Sequence, residues 1–224
     1  MASFPSFLSL FSLRVALKAY QAWDRYRLRR LQRQHPGVEI HPGASTNLAA
    51  ARWELEPGAR VVIDDGLVTE RSPGALRIHV EEGGELHIGP GAWLRTEVGP
   101  IQLVVHKGAR IAFGSGAWLN GCSLSSKVAI DCGERVWIGP GARVYDSDQH
   151  TLDAERTEQK AAIKMGSFIW VAAGVTLLKG AHLGSHVVVG ADSLVTNPVP
   201  DHSLAFGVPA RVRGEIGDRS TLVR

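Results

Sequence analysis

From Met165 onward, apolar residues recur at an interval of six: Met165, Val171, Leu177, Leu183, Val189 and Val195. Gly follows three of them, and small or β-branched residues dominate four positions later. A helix sends residues six apart to different faces, so this interval excludes helix. Short pleated strands with a corner every six residues bring the same position inward at each corner, and glycine relieves the backbone there. Three such strands close a triangular coil of about 18 residues, and stacked coils join their aliphatic rows into one core. The pattern predicts an all-β solenoid, a parallel β-helix.

Upstream the interval lengthens. Leu55, Val80, Val105 and Ile130 are spaced by 25, and Gly58, Gly83, Gly108 and Gly133 keep the same register. The tripeptides Gly91-Ala92-Trp93, Gly116-Ala117-Trp118 and Gly141-Ala142-Arg143 do likewise. A coil of that length is the coil of about 18 residues plus a bulge or extended corner of about seven. Alone it would also fit a right-handed β-helix; the strict sixes that follow decide for the hexad type.

Two segments break the repeat. Residues 1–36 form a basic arm with a helical pattern over about 6–33, in which Phe7, Phe11, Val15, Tyr20, Trp23 and Tyr26 fall on or near one side and arginines on the other. Between about 146 and 163 the sixes fail and the chain turns polar, from Asp146 through His150 to Lys160. A polar excursion from a rigid solenoid is a common place for function. The repeat domain is expected over 37–214, with 215–224 as a C-terminal tail.

Charge is unevenly placed. Residues 1–33 hold seven cations against Asp24 alone, a net of +6 in a chain whose total is +3. The basic balance therefore comes from the arm and not from a DNA-binding face. Cys122 and Cys132 form neither a CxxC pair nor a disulfide framework, which fits a reducing cytoplasm and argues against a thiolate zinc site. The N-terminal apolar run has no basic leader, and Arg14 and Lys18 interrupt it, so neither a signal peptide nor a membrane span is expected. No GxGxxG or P-loop follows a strand, which disfavours nucleotide hydrolysis.

The stretch Val136-Trp-Ile-Gly-Pro-Gly-Ala-Arg-Val-Tyr-Asp146-Ser-Asp-Gln-His150-Thr-Leu-Asp153 resembles the active-site coil of hexapeptide-repeat, left-handed β-helix O-acetyltransferases. These are of the maltose, galactoside, nodulation and polysaccharide type. The ending from Val195 through Pro209-Ala-Arg211-Val is similar to that family's closing stretch, and the resemblance covers roughly 37–214. It implies acyl transfer from acetyl-CoA to a hydroxyl of a sugar or glycan. It also implies no metal, and a homotrimer with sites between neighbouring solenoids. Trp93 and Trp118 are expected in the subunit contacts.

His150 is the expected general base: a histidine near its ordinary pKa suits removal of a hydroxyl proton around neutrality. Asp146, Asp148, Asp153 or a backbone carbonyl can fix its tautomer, and Asp146 and Asp148 are placed with Asn120 as acceptor-binding residues. Asn120 and Trp170 match family positions at the acceptor and the pantetheine channel, and Ala172 replaces the family's usual glycine. CoA carries phosphates, for which Lys179, Arg211 and Arg213 are the candidate cations. His106, His182 and His186 invite comparison with a γ-class carbonic anhydrase zinc site. Residues four apart on such strands do not face the same way, so these, with His79 and His87, are expected as outward-facing surface histidines. A non-catalytic scaffold and a serine-type acetyltransferase are the other rivals. The arm is expected either to cap the first coil or, through Phe4, Phe7, Leu8 and Phe11, to dock on an anionic membrane surface, so the location is cytoplasmic or peripheral.

Overall fold

The computed structural model describes the backbone of residues 7–222 and the side chains of residues 13–222. Phe4 lies outside the described residues, as do the side chains of Phe7, Leu8 and Phe11. After a helix at Phe7–Gln34, the chain winds as a left-handed β-helix whose three faces are sheets of seven, eight and seven strands. Strands on each face pair in parallel, except the last, Ala210–Glu215, which folds back antiparallel on Ser203–Gly207. The faces differ in what they present outward, and we call them the charged, tryptophan and histidine faces, in the order the chain visits them.

Register explains the core. On the charged face Ile40, Ile63, Ile88, Phe113, Cys132, Met165 and Leu183 lie one above another. On the tryptophan face the inward column runs Leu94, Leu119, Ile138, Val171 and Val189. On the histidine face it runs Ile78, Leu103, Leu124, Val144, Leu177 and Val195. Nearly all of these side chains are buried, in one continuous cluster. Removing one large member costs about 2–5 kcal/mol.

The 25-residue interval holds for Val61, Leu86 and Ile111, which stack in register. The fourth copy does not stack as the spacing implied. Ile130 pairs with Ile111 and not with Val105, and Arg143 pairs with Ser123 and not with Trp118. Corners carry the same local signature on every face. A coil that drops the extended corner therefore moves the next matching signature on by one face. The extension itself occupies residues 70–75 and 96–100, at the corner between the tryptophan and histidine faces. Glu70 ties the two extensions together: Trp93 Nε1 donates to it at 2.9 Å and the Thr96 amide at 2.7 Å. Burial opposes its charge, yet these bonds hold its carboxyl below the usual range.

The first extension also clasps the helix, because Arg71 ion-pairs with buried Asp24 and lies over the Tyr20 ring at 5.2 Å. Asp24 and Leu28 are buried, and Leu31 packs against the core. The helix thus packs on the first coil through the side that carries Asp24, Leu28 and Leu31. Val15, Tyr20, Trp23 and Tyr26 are all more than half exposed. The only acid of the arm, not its aromatics, marks the docked face.

Coils approach closely where glycine lines a corner. A Cβ at Gly114 would lie 2.7 Å from the Gly133 backbone and 3.0 Å from the Glu134 nitrogen. Gly114→Ala should therefore cost about 1–3 kcal/mol. Gly217→Ala, which meets nothing within 4 Å, should stay within about 0.5 kcal/mol. Denaturant unfolding of the two variants measures the difference.

Candidate active site

Residues 146–162 leave the solenoid between the histidine and charged faces and return as a hairpin-like loop. Ser147 and Lys160 form an antiparallel bridge, and the Asp148 amide donates to Gln159 O at 3.0 Å. At the tip, Asp153 accepts from the Arg156 amide and ion-pairs with its guanidinium. Asp146 anchors the near end. It is wholly buried and accepts from Ser126 Oγ at 2.8 Å, the Lys127 amide at 2.7 Å and the Val128 amide at 2.8 Å. With both oxygens so occupied, Asp146 is a bracket under the loop and not a hydroxyl ligand. Asp148 and Lys179 ion-pair with each other. That contact joins the loop to a neighbouring corner. Lys179 holds the Asp148 carboxyl below its ordinary range.

Lys127 is a residue that sequence reasoning missed. Its Nζ donates to Gln149 O at 2.9 Å and pairs with Glu158 at 2.7 Å. The Gln149 side chain donates to Ser147 Oγ at 2.7 Å and accepts from Ser125 Oγ at 3.3 Å. These bonds hold Gln149 at φ +68°, a left-handed conformation that a side chain seldom adopts without support. The strained residue immediately precedes His150, which is exposed and, among the described residues, has no hydrogen-bonding partner. No aspartate touches its ring. Its placement comes from the backbone of Gln149.

His150 edges a groove of about 490 Å³ on the histidine face, lined also by Arg77, His79, His106, Ser125 and Tyr145. His79 and His106 face outward, and both are partly buried and hydrogen-bonded. His79 Nδ1 meets Glu54 at 2.8 Å, and His106 lies between Glu81 at 2.9 Å and Ser125 at 3.2 Å. Arg77, then His79, lower the Glu54 carboxyl to about 2. His87 pairs with Asp64 on the charged face, where His182 is also exposed. His186 is stacked between Phe168 and His202. His106, His182 and His186 thus lie apart, and no group of metal-binding residues occurs among the described residues.

A second groove, of about 550 Å³, runs along the tryptophan face past Trp118, Asn120, Trp137, Trp170 and Arg219. Trp93 and Trp118 stack with ring centres 5.4 Å apart, and Arg95 lies over both. Asn120 Nδ2 donates to Ile138 O at 3.1 Å, and Trp170 is 45% exposed. Ala172 packs toward the core, so it does not narrow the groove; Ala173 lines it. Arg211 and Arg213 sit on the terminal antiparallel strand, outside the groove's wall. The cations that line the groove are Arg95 and, from the C-terminal tail, Arg219, which lies 5.8 Å from the Trp137 ring centre and 5.9 Å from that of Trp170. Burial lowers its pKa. Nothing in the polar tail marked it. Asn120 and His150, expected one coil apart in one site, belong to different faces of the chain.

Neither cysteine serves as a nucleophile: both are buried, and burial pushes the Cys122 thiol up to about 12 and Cys132 well above its ordinary value.

Three-sided parallel coils, a cap helix and one pinned loop define the class: a hexapeptide-repeat left-handed β-helix. The chain matches proteins of this class in sequence and in fold. It is 34% identical over 90 residues to a galactoside O-acetyltransferase of Lactococcus lactis, covering 38% of this chain and 43% of that protein. It is 39% identical over 57 residues to a putative lipopolysaccharide biosynthesis O-acetyl transferase, WbbJ, of Escherichia coli, covering 25% and 29%. The chain thus spans less than half the length of these curated relatives. The crystal structure of a polySia-specific acetyltransferase, NeuO, superimposes with a TM-score of 0.68 at 21% identity, covering 83% of this chain and 78% of that one. No family model matches. The matched segments are thus similar to O-acetyltransferases, and the fold is similar to that of an acetyltransferase.

Two outcomes follow for the loop. Asp146→Asn turns an amide N–H₂ toward donors already in place and should cost about 2–4 kcal/mol, read as a shift in denaturant midpoint. The Asp148 contact stabilises with a depressed carboxylate pKa, so its contribution is complete above 3.8, the ordinary value. It is lost only as pH falls through the lower folded value. The Gln159 and Ala161 amide NMR signals should hold their positions from pH 7 to about 4 and move below that.

Proposed function

We propose that the protein is a CoA-dependent O-acyltransferase that moves an acyl group, most simply acetyl, to a hydroxyl of a sugar or glycan. The observation that carries this reading is His150, held on a pinned left-handed turn at the edge of a groove. The names of the similar proteins, acting on galactosides, lipopolysaccharide and polysialic acid, supply the acceptor class. In the reaction the acceptor proton passes to the free imidazole nitrogen of His150 as the oxygen attacks the thioester carbonyl. The C–S bond breaks, the thiol leaves with that proton, and backbone N–H groups at the corners stabilise the oxyanion. Lys127 and Gln149 act through position only. The apolar indole wall of the tryptophan groove fits an extended thioester arm, with Trp170 beside it and Arg219 as a cation within reach of a phosphate.

His150 and the tryptophan groove lie on different faces, and a closed threefold set of chains joins them. The exposed loop of one subunit then reaches the tryptophan face of the next. The third face fits this arrangement, since its outward residues are ion-paired and polar: Arg110 with Asp131, His87 with Asp64. Among the described residues no helix is long and apolar enough to cross a membrane. The helix from Leu13 to Trp23 is nonetheless exposed and carries Leu13, Leu17, Tyr20 and Trp23 beside Arg14 and Lys18. That composition suits docking on an anionic surface, where each cation contributes about 1 kcal/mol, and keeps the enzyme near a lipid-linked acceptor.

His150→Ala should lower acetyl transfer by about 10²–10⁴-fold without changing the melting temperature. Mixing denatured and refolded His150→Ala and Trp170→Ala chains should restore part of the activity, because some sites then combine two intact halves. Mixtures no more active than either variant would exclude a shared site. For the arm, removal of residues 1–22, which spares Asp24 and Leu28, should abolish co-sedimentation with phosphatidylglycerol vesicles and leave a soluble, active solenoid.

A further inference from the structure

On the histidine face, three residues that carry out no chemical step of acyl transfer are ordered as a nucleophile, a base and its orienting acid. Glu81 Oε1 meets His106 Nδ1 at 2.9 Å, and His106 Nε2 meets Ser125 Oγ at 3.2 Å. The second Glu81 oxygen accepts the Lys107 amide at 2.9 Å, which fixes the carboxylate against the ring. With Glu81 ionised, the proton belongs on Nδ1, and the Nε2 lone pair faces the serine hydroxyl. This tautomer lets an imidazole take a hydroxyl proton. We propose that Ser125, His106 and Glu81 form a second catalytic centre that hydrolyses short-chain carboxylic esters, such as O-acylated sugars.

Position in the solenoid supports the assignment. Ser125 stands on the strand Ser123–Ser126, and the His106 amide donates to Ser126 O at 2.9 Å, so the β-ladder itself fixes the pair. The same acid–histidine motif recurs one coil below, where Glu54 meets His79 Nδ1. There the acid and the histidine are register partners two positions earlier along the ladder, and the second ring nitrogen faces Glu81 at 3.5 Å. Tyr145 is the register partner of Ser125 and lines the same groove. Ser125 Oγ also donates to Gln149 Oε1 at 3.3 Å, so the resting hydroxyl is shared between Gln149 and His106.

The chemistry balances. Ser125 Oγ gives its proton to His106 Nε2 and bonds to the ester carbonyl carbon. The ester C–O bond breaks, and the departing alkoxide takes that proton from His106. Water then attacks the acyl-serine; its proton returns through His106 to Ser125 Oγ, and a carboxylic acid is released.

The test uses the full-length protein without CoA, so its result stands apart from that of the transfer reaction. A fluorophosphonate probe should label Ser125 in the unaltered chain, as located by peptide mass spectrometry, and His106→Ala should cut labelling by at least about 10²-fold. Hydrolysis of p-nitrophenyl acetate should fall by a similar factor in Ser125→Ala, whose circular dichroism should match the parent. His150→Ala should still be labelled at Ser125. Absence of label from Ser125 overturns the proposal. So does ester hydrolysis that persists in Ser125→Ala and disappears in His150→Ala, because the activity would then belong to His150 alone.

Discussion

Every coil must place an apolar side chain directly over the one below, because each strand's backbone groups bond to the strands above and below it. A strand lengthened by one residue would turn its inward column outward. Additional residues are therefore tolerated only at corners, where the chain leaves one ladder and enters the next. The extensions at 70–75 and 96–100 and the loop at 146–162 all obey this limit. The features that distinguish the chain from a plain repeat are consequently concentrated at corners.

The loop shows how a long excursion is kept in place. Its ion pairs at Asp148 and Lys179 and at Asp153 and Arg156 are partly or largely exposed, and contacts of that kind contribute little individually. Asp146 is different: enclosed, ionic and bonded to three donors, it cannot be released without leaving those donors unpaired. The loop is thus fixed at its root and more loosely tied at its tip. Rigidity at the root passes through Lys127 and Gln149 to the backbone of His150, so the ring needs no carboxylate of its own to be positioned.

Division of labour among the faces follows from outward positions, which the core leaves free. One face is ion-paired and polar, one carries four indoles in register with arginines over them, and one carries a line of acids, histidines and a serine. Because the solenoid is rigid, side chains on separate faces of one chain cannot meet by bending it. A reaction that needs His150 together with the tryptophan groove must recruit a second chain, whereas Ser125, His106 and Glu81 are already complete within one.

The interval of six was enough to determine the solenoid and its inward columns, since periodic burial is a property of the chain written position by position. The break at 146–163 was legible for the same reason: a failed period is visible locally. The register of Ile130 was not, because a corner signature is identical on all three faces and only the ladder says which face it occupies. Nor were the Asp146 bonds and the Asp148–Lys179 pair, which join residues 18 to 31 apart from different coils. Arg219 and the line from Glu81 to Ser125 were hidden in the same way. Sequence alone determined which residues point inward. Tertiary structure decided which outward residues become neighbours, because on stacked coils that depends on the length of every corner between them.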